Sequence, residues 1–140
     1  MLADLGLTVR WTDPKPPVGR PGAACLFEMR TADGFQATMR VEASTPATVE
    51  DARLLYGATA RVTGMMPAGP VDGVGDEAEA FTKLSTPGVR YAEYMVHART
   101  GNLVVKVWLG VGGRSYVPVS SLAARARTVL RETVSSVPAA

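Results

Sequence analysis

Cysteine occurs once, at position 25, and histidine once, at position 97, in a chain of 140 residues. One cysteine cannot close an internal disulfide, and one cysteine with one histidine cannot assemble the usual thiolate and imidazole ligand sets of a zinc centre. A zinc ion on His97 would need carboxylates for every other protein ligand. Neither a metal nor a cofactor is expected. Cys25 lies in AACLFEM, a strand-like stretch, and is expected as a buried, inert thiol.

Basic runs are also missing. Fifteen Lys and Arg face thirteen Asp and Glu, a net charge of +2, and the two signs are interleaved. The densest cluster, RARTVLR at 125–131, spreads its arginines along a solvated face when wound as a helix. A phosphate-gripping stripe is absent, so nucleic acid is not an expected partner. No stretch approaches the roughly eighteen apolar residues that a membrane helix needs. MLADLGLTV carries an acid and no basic leader, so it does not read as a signal peptide.

What remains is 46% hydrophobic and 20% charged, the balance of a globular chain, and residues 1–140 read as one domain. Residues 1–8 look like the end of a short helix. RWTDPKPPVGRPG (10–22) is punctuated by Pro and Gly, and is expected as an extended loop. In CLFEMR and FQATMRVEA, apolar Cys25, Phe27, Met29, Phe35, Ala37, Met39 and Val41 alternate with polar or outward residues. That alternation, around a turn at Asp33-Gly34, predicts a hairpin with one buried face.

Thr48 precedes VED, so its hydroxyl can cap a helix whose first turn holds Asp51. Val49, Ala52, Leu55, Tyr56 and Ala60 form the apolar stripe of that helix. A loop, TGMMPAGPVDGVG, follows, then a strand in EAEAFTKL. A second hairpin joins VRYAEYMVHAR (89–99) to LVVKVWLG (103–110). The last helix is capped by Ser120 or Ser121 and carries Leu122, Ala126, Val129, Leu130 and Val134. The expectation is an α+β domain: an antiparallel sheet of five to six strands, in the order β-β-α-β-β-β-α, with helices packed on it.

The glycines of GPVDGVGDEAEAF (69–81) do not make a nucleotide loop. GVGDEA lacks a third glycine and leads into a strand rather than a helix, and no Gly-Lys-Ser/Thr ending exists. Asp76 and Glu77 would repel a phosphate there. Asp72, Asp76, Glu77 and Glu79 lack the spacing of a calcium loop. The stretch is read as a turn feeding a strand, with Gly73 and Gly75 supplying backbone angles closed to other residues.

Chemistry is sparse. A Cys25/His97 dyad is conceivable, but neither residue sits in a glycine elbow or at a helix N-terminus. Most acids fall in turns or on outward faces, which reads as solvated charge, and no catalytic residue is assigned. Register supplies the one informative surface. If Gly101-Asn102 is a two-residue turn, Thr100 opposes Leu103, Ala98 meets Val105, Val96 meets Val107 and Tyr94 meets Leu109. The opposite face then sets His97 against Lys106 and Met95 against Trp108, with Tyr91 and Glu93 beyond. Two readings stay open. A helix covers this face and makes Trp108 core, or Tyr91, Met95, His97, Lys106 and Trp108 line a groove for a protein or an amphipathic ligand.

The motifs VDGVGDEA and RTGNLVVKVWL, followed by a C-terminal helix, resemble a family of small actinobacterial lipoproteins of unknown function. Arginine outnumbers lysine twelve to three and Ala, Val and Gly are abundant, as GC-rich coding tends to produce. The resemblance runs from about Cys25 onward and implies a PsbP-like α+β sandwich, exported and lipid-anchored. Family members often pair the first-strand cysteine with a second one, which this chain does not have, and the lipobox is missing. The resemblance implies a noncatalytic, extracytoplasmic module of the cell envelope, held to the membrane only through an anchor outside this chain. It would recognise a protein, lipid or cell-wall component. The competing expectations are a small carboxylate-dependent hydrolase or transferase, and a cytoplasmic inhibitor or immunity-type protein.

Overall fold

The structure, a computed structural model, describes residues 8–14, 22–86 and 88–136, the first of these segments by its backbone alone. The elements run β1 (Thr8–Pro14), β2 (Gly22–Arg30), β3 (Gln36–Ser44), α1 (Val49–Val62), β4 (Met66–Pro70), β5 (Glu77–Ser85), β6 (Arg90–Thr100), β7 (Leu103–Gly113) and α2 (Val119–Ser136). All strands join one antiparallel sheet in the spatial order β1-β2-β3-β7-β6-β5-β4. Helices packed on an antiparallel sheet make this an α+β fold, with the expected elements in the expected order.

Two edge strands join the expected set. Residues 8–14 pair with β2, where a loop was expected over 10–22. Extended chain that Pro and Gly punctuate can still pair at a sheet edge, where one side of the strand faces no partner. The helical stub expected at 1–8 lies outside the described residues except for Thr8, which opens β1, and 15–21 also lie outside them. Met66–Pro70, expected as loop, pairs with β5 as the other edge and is bulged between Pro67 and Gly69. The hairpin between β2 and β3 turns through three residues rather than two. Gly34 N donates to Thr31 O at 3.0 Å, Thr31 N donates to Phe35 O at 2.8 Å, and Gly34 takes φ +86°. That is a type I turn closed by a left-handed glycine.

The β6–β7 register is the expected one. Thr100 faces Leu103, Ala98 Val105, Val96 Val107 and Tyr94 Leu109. Gly101 has φ +57°, and among the described residues no non-glycine has positive φ, as a turn with glycine first requires. Side chains alternate across a strand, so this register sends Val96, Ala98, Val105, Val107 and Leu109 to one face, where each is at most 1% exposed. Ala37, Met39 and Ala80 extend that face across the neighbouring strands and Ala92 along β6, and α2 lies over it through Leu122, Ala126, Val129 and Leu130.

Helix α2 starts at Val119, one residue before the expected cap. The carbonyl of Pro118 accepts from Ser121 N and Leu122 N, so Ser120 and Ser121 sit inside the first turn. Its arginines are not all solvated. Arg125 is buried, and Arg127 donates from Nε to Tyr94 Oη at 2.9 Å while Arg131 faces solvent. A helix laid flat on a sheet buries a stripe wider than its apolar positions, so flanking arginine stems lie along the core.

Helix α1 packs on the opposite face, over β6 and β7. Thr48 Oγ1 accepts from Asp51 N at 3.0 Å, as expected. Ala52 and Tyr56 are buried, whereas Val49 and Ala60 are exposed, so the buried stripe is narrower than the sequence pattern. Cys25 is exposed rather than buried. It lies on the α2 side of β2, where α2, centred on β6 and β7, does not reach far enough to cover it.

Replacing Leu130 with Ala should cost about 2–5 kcal/mol, because it empties a site between α2 and the sheet. Leu54→Ala, at a side chain 60% exposed, should stay within about 0.5 kcal/mol. Urea unfolding of both variants measures the contrast, and equal effects would contradict the α1 and α2 packing described.

Candidate functional site

The acids after the glycines fasten the β4–β5 connection to the tip of the central hairpin. Arg99, on β6, donates from Nε to Glu77 Oε2 at 2.7 Å and from Nη1 to Asp76 Oδ2 at 3.4 Å. Asp76 Oδ2 also accepts from Gly101 N at 2.8 Å, and Asp76 N donates to Arg99 O at 2.7 Å. Gly75 takes φ +63°, and a Cβ there would stand 2.7 Å from Arg99 O, so only glycine lets the loop approach this closely. GPVDGVGDEAEAF is therefore a latch. Asp76, Glu77 and Glu79 are bonded to the protein, while Asp72 is exposed to solvent. Asn102 fastens the same tip on its other side, donating from Nδ2 to Pro46 O at 2.8 Å.

Beneath α1 the sheet presents rows of side chains set by strand pairing. One row runs Glu42, Lys106, His97, Glu79 across β3, β7, β6 and β5. His97 is fully buried. Tyr56 of α1 stacks on its ring, with centroids 3.9 Å apart and planes 7° from parallel, and Phe81 lies against it at 5.9 Å. His97 Nε2 lies 2.9 Å from Glu79 Oε2, while the buried Nδ1 has no hydrogen-bond partner. The neutral tautomer with the proton on Nε2 satisfies Glu79 and leaves a bare lone pair inside, which is the cheaper orphan. Burial holds the imidazole below its ordinary value of 6.5. The Glu79 bond and the Glu77 charge oppose the shift, and Lys106 reinforces it. Burial likewise lifts the Tyr56 phenol well above its usual range, with Glu79 and Glu77 adding to the effect.

The next row out runs Arg40, Trp108, Met95, Phe81. Met95 is 3% exposed, whereas Trp108 and Lys106 are half-buried. Trp108 Nε1 donates to Glu93 Oε1 at 3.1 Å, which fixes the indole. Arg40 pairs with Glu42 at 3.2 Å. Because α1 stops at Val62, its last turn only partly covers the row beyond His97. The end of α1 and Trp108 enclose a hollow of about 370 Å³, rimmed by Arg40, Lys83 and Lys106. Val62, at the mouth, is 79% exposed.

Tyr91 lies two rows further out, opposite Gly112, and its half-buried ring leans back over Gly110. A Cβ on Gly110 would stand 2.7 Å from Tyr91 Cζ and 3.0 Å from Trp108 Cζ2, so the glycine is the seat of the tyrosine ring. Burial, with Glu93 and Glu28 adding to it, pushes the Tyr91 phenol up to about 12.

Of the five residues singled out on this face, Met95, Lys106 and Trp108 meet at the hollow. Tyr91 flanks Trp108, and His97 is sealed beneath Tyr56. The lining from α1 and Met65 was not legible in the strand pattern. Trp11 stands in edge strand β1 opposite Glu28, separated from the strand of Trp108 by β2 and β3. Among the described residues no group of three or more His, Cys, Asp or Glu is arranged to hold a metal ion. Cys25 and His97 lie on opposite faces of the sheet, so they form no dyad. No family model, curated protein or solved structure matches the chain.

Two measurements check this geometry. The unfolded chain binds a proton at His97 below about pH 6.5, while the folded chain resists it. Folding stability should therefore be fully retained above that pH and fall as pH drops toward the folded-state value. Urea midpoints taken between pH 7.5 and 5.5 should slope less in His97→Gln than in the parent, and parallel slopes would refute the assignment. Gly110→Ala should displace Tyr91, cost about 1–3 kcal/mol and return its phenol toward 10, read by ultraviolet titration.

Proposed function

We propose that the chain is a noncatalytic binding module of the cell envelope, and that the hollow beside the end of α1 is its recognition surface. The observation that carries this reading is the partly covered outer half of the α1 face. An indole held in place by Glu93 and an exposed apolar helix end meet there within a cationic rim. A fixed aromatic surrounded by charge suits a protein side chain or the apolar part of an amphipathic ligand, since the anchor loses little conformational freedom on contact. The carboxylates nearest the interior hold structural bonds to His97, Arg99 and Trp108, which fits a binding role better than hydrolysis.

The extracytoplasmic, lipid-anchored setting rests on the resemblance of VDGVGDEA and RTGNLVVKVWL to the lipoprotein family. Candidate partners in that setting are an envelope protein, a lipid or a cell-wall component. Tyr91 supports the edge of the surface, and His97 acts beneath it as packing rather than as a contact.

A photo-crosslinker placed at Lys83 and activated in intact cells should give a discrete adduct. Mass spectrometry identifies the adduct, and purified partner then titrates the indole resonance of Trp108. Trp108→Ala should retain the fold, because the side chain is only half-buried, and weaken the purified interaction at least tenfold. A partner that shifts residues elsewhere but leaves the Trp108 indole unmoved rules out this surface.

A further inference from the structure

A second surface lies at the end of the sheet where the β2–β3 turn, the β5–β6 turn and the β7–α2 connection come together. Strand β7 finishes in Gly112 and Gly113, which pair with Tyr91 and Arg90 of β6, while Gln36 lies beside Gly112 and Phe35 borders the same end of the sheet. Without side chains at these two positions the sheet end is notched. Two hollows, of about 410 and 460 Å³, open there and share Phe35 and Val89 as common walls. Gly112 keeps the notch clear: a Cβ there would stand 3.4 Å from both Val89 Cγ2 and Gln36 O.

Three guanidinium groups stand at this end of the sheet, Arg30 on the α1 face with Tyr91, and Arg90 on the other face beside Arg114. Arg30 borders the larger hollow, and Arg90 and Arg114 border the smaller. Among the described residues none of the three is ion-paired. Arg30 donates from Nη1 to Gly34 O at 3.1 Å, which leaves most of its donors unused. Arg90 donates from Nε to Arg114 O at 3.2 Å and lies 5.8 Å from the Tyr116 ring centroid, so its stem is braced while its charge stays uncompensated. The carboxylates on the flanking elements are Glu28, which accepts from Gln36 Nε2 at 3.3 Å, Glu93, which accepts from Trp108 Nε1 at 3.1 Å, and Asp33 in the β2–β3 turn, which lines an adjoining hollow with Arg114. Unpaired positive charge around an apolar wall is complementary to an anion that carries an apolar tail. Arginine adds the fork geometry that takes carboxylate or phosphate oxygens two at a time.

The geometry points to a binding site for a small single-chain amphiphile with an anionic headgroup, its head on Arg90 and Arg114 and its chain against Phe35 and Val89, all four of which line one hollow. The size falls within the range of small-molecule sites. A recess, rather than a convex tip, favours a molecule that enters over a bilayer that lies across the loops. The site is separate from the hollow beside α1 and does not depend on the function proposed for it.

Decanoate below its micellar concentration is the direct probe, titrated calorimetrically into the full chain at low ionic strength. One saturable site is expected. Arg114→Ala, at an exposed side chain and therefore neutral to the fold, should weaken binding about tenfold, the loss of one charge-assisted contact, whereas Arg30→Ala, on the other face, should weaken it less. Phe35→Ala should weaken it too, and added salt should lower affinity. Trp108→Ala should leave it unchanged, and a loss there would move the ligand to the α1 side and overturn the assignment. Inorganic phosphate binding as tightly as decanoate would reduce the site to a bare anion cradle. Adsorption to phosphatidylglycerol vesicles without decanoate binding would make it a membrane contact. Either result, or the absence of any saturable binding, overturns the proposal.

Discussion

The two-residue turn at Gly101-Asn102 governs the rest of this molecule. It sets the partners of the two longest strands, and side chains alternate across a strand. One shifted residue would therefore exchange Val96, Val107 and Leu109 for His97, Lys106 and Trp108. The first set is the floor of the main core under α2. The second carries the charges that α1 and the solvent share. No position in the sheet can be repaired locally after such a slip, because β3 and β5 pair to these two strands and inherit their parity.

That turn is held from outside as well as by its own backbone. Arg99 reaches Glu77, Asp76 and the carbonyl of Gly101, while Asp76 accepts from the Gly101 amide and Asn102 bonds to Pro46. The connections before β5 and before α1 thus converge on one hairpin tip. Charge-assisted hydrogen bonds of this kind are stronger than neutral ones, and Arg99 is 7% exposed, although its partners Asp76 and Glu77 stay open to solvent and so the contacts are partly screened. The placement of α1 follows from the same fixture. Its N-terminus is tied near Pro46, and fourteen residues carry it over His97 but not beyond Trp108. The helix roof is therefore half a roof because of where it starts and how long it is.

The strands that alternate were legible from sequence, and so was the register between them. Val96/Val107 and His97/Lys106 follow from parity once the turn is placed, and Thr48 announced its helix because a cap is a local signal. The edges were not legible. Residues 8–14 and Met66–Pro70 hold Pro and Gly, which local preference assigns to loops, yet an edge strand needs pairing on only one side. The exposure of Cys25 and the burial of Arg125 likewise depend on how far α2 reaches across the sheet, a property of packing between elements distant in the chain. Of the candidate surface, its strand residues could be named in advance. The end of α1 that encloses Trp108 could not, since nothing local records which part of a face a helix will cover. The glycines of β7 were silent for a similar reason, because Gly110 makes sense only once Tyr91 is seen resting on it.

The outermost strand on the β5 side has a consequence for how copies of this chain can associate. Pro67 and Pro70 remove two amide donors from β4, and the bulge between Pro67 and Gly69 breaks its repeat. A neighbouring polypeptide seeking to extend the sheet finds an interrupted row of donors there. Growth by backbone pairing is therefore disfavoured on that flank.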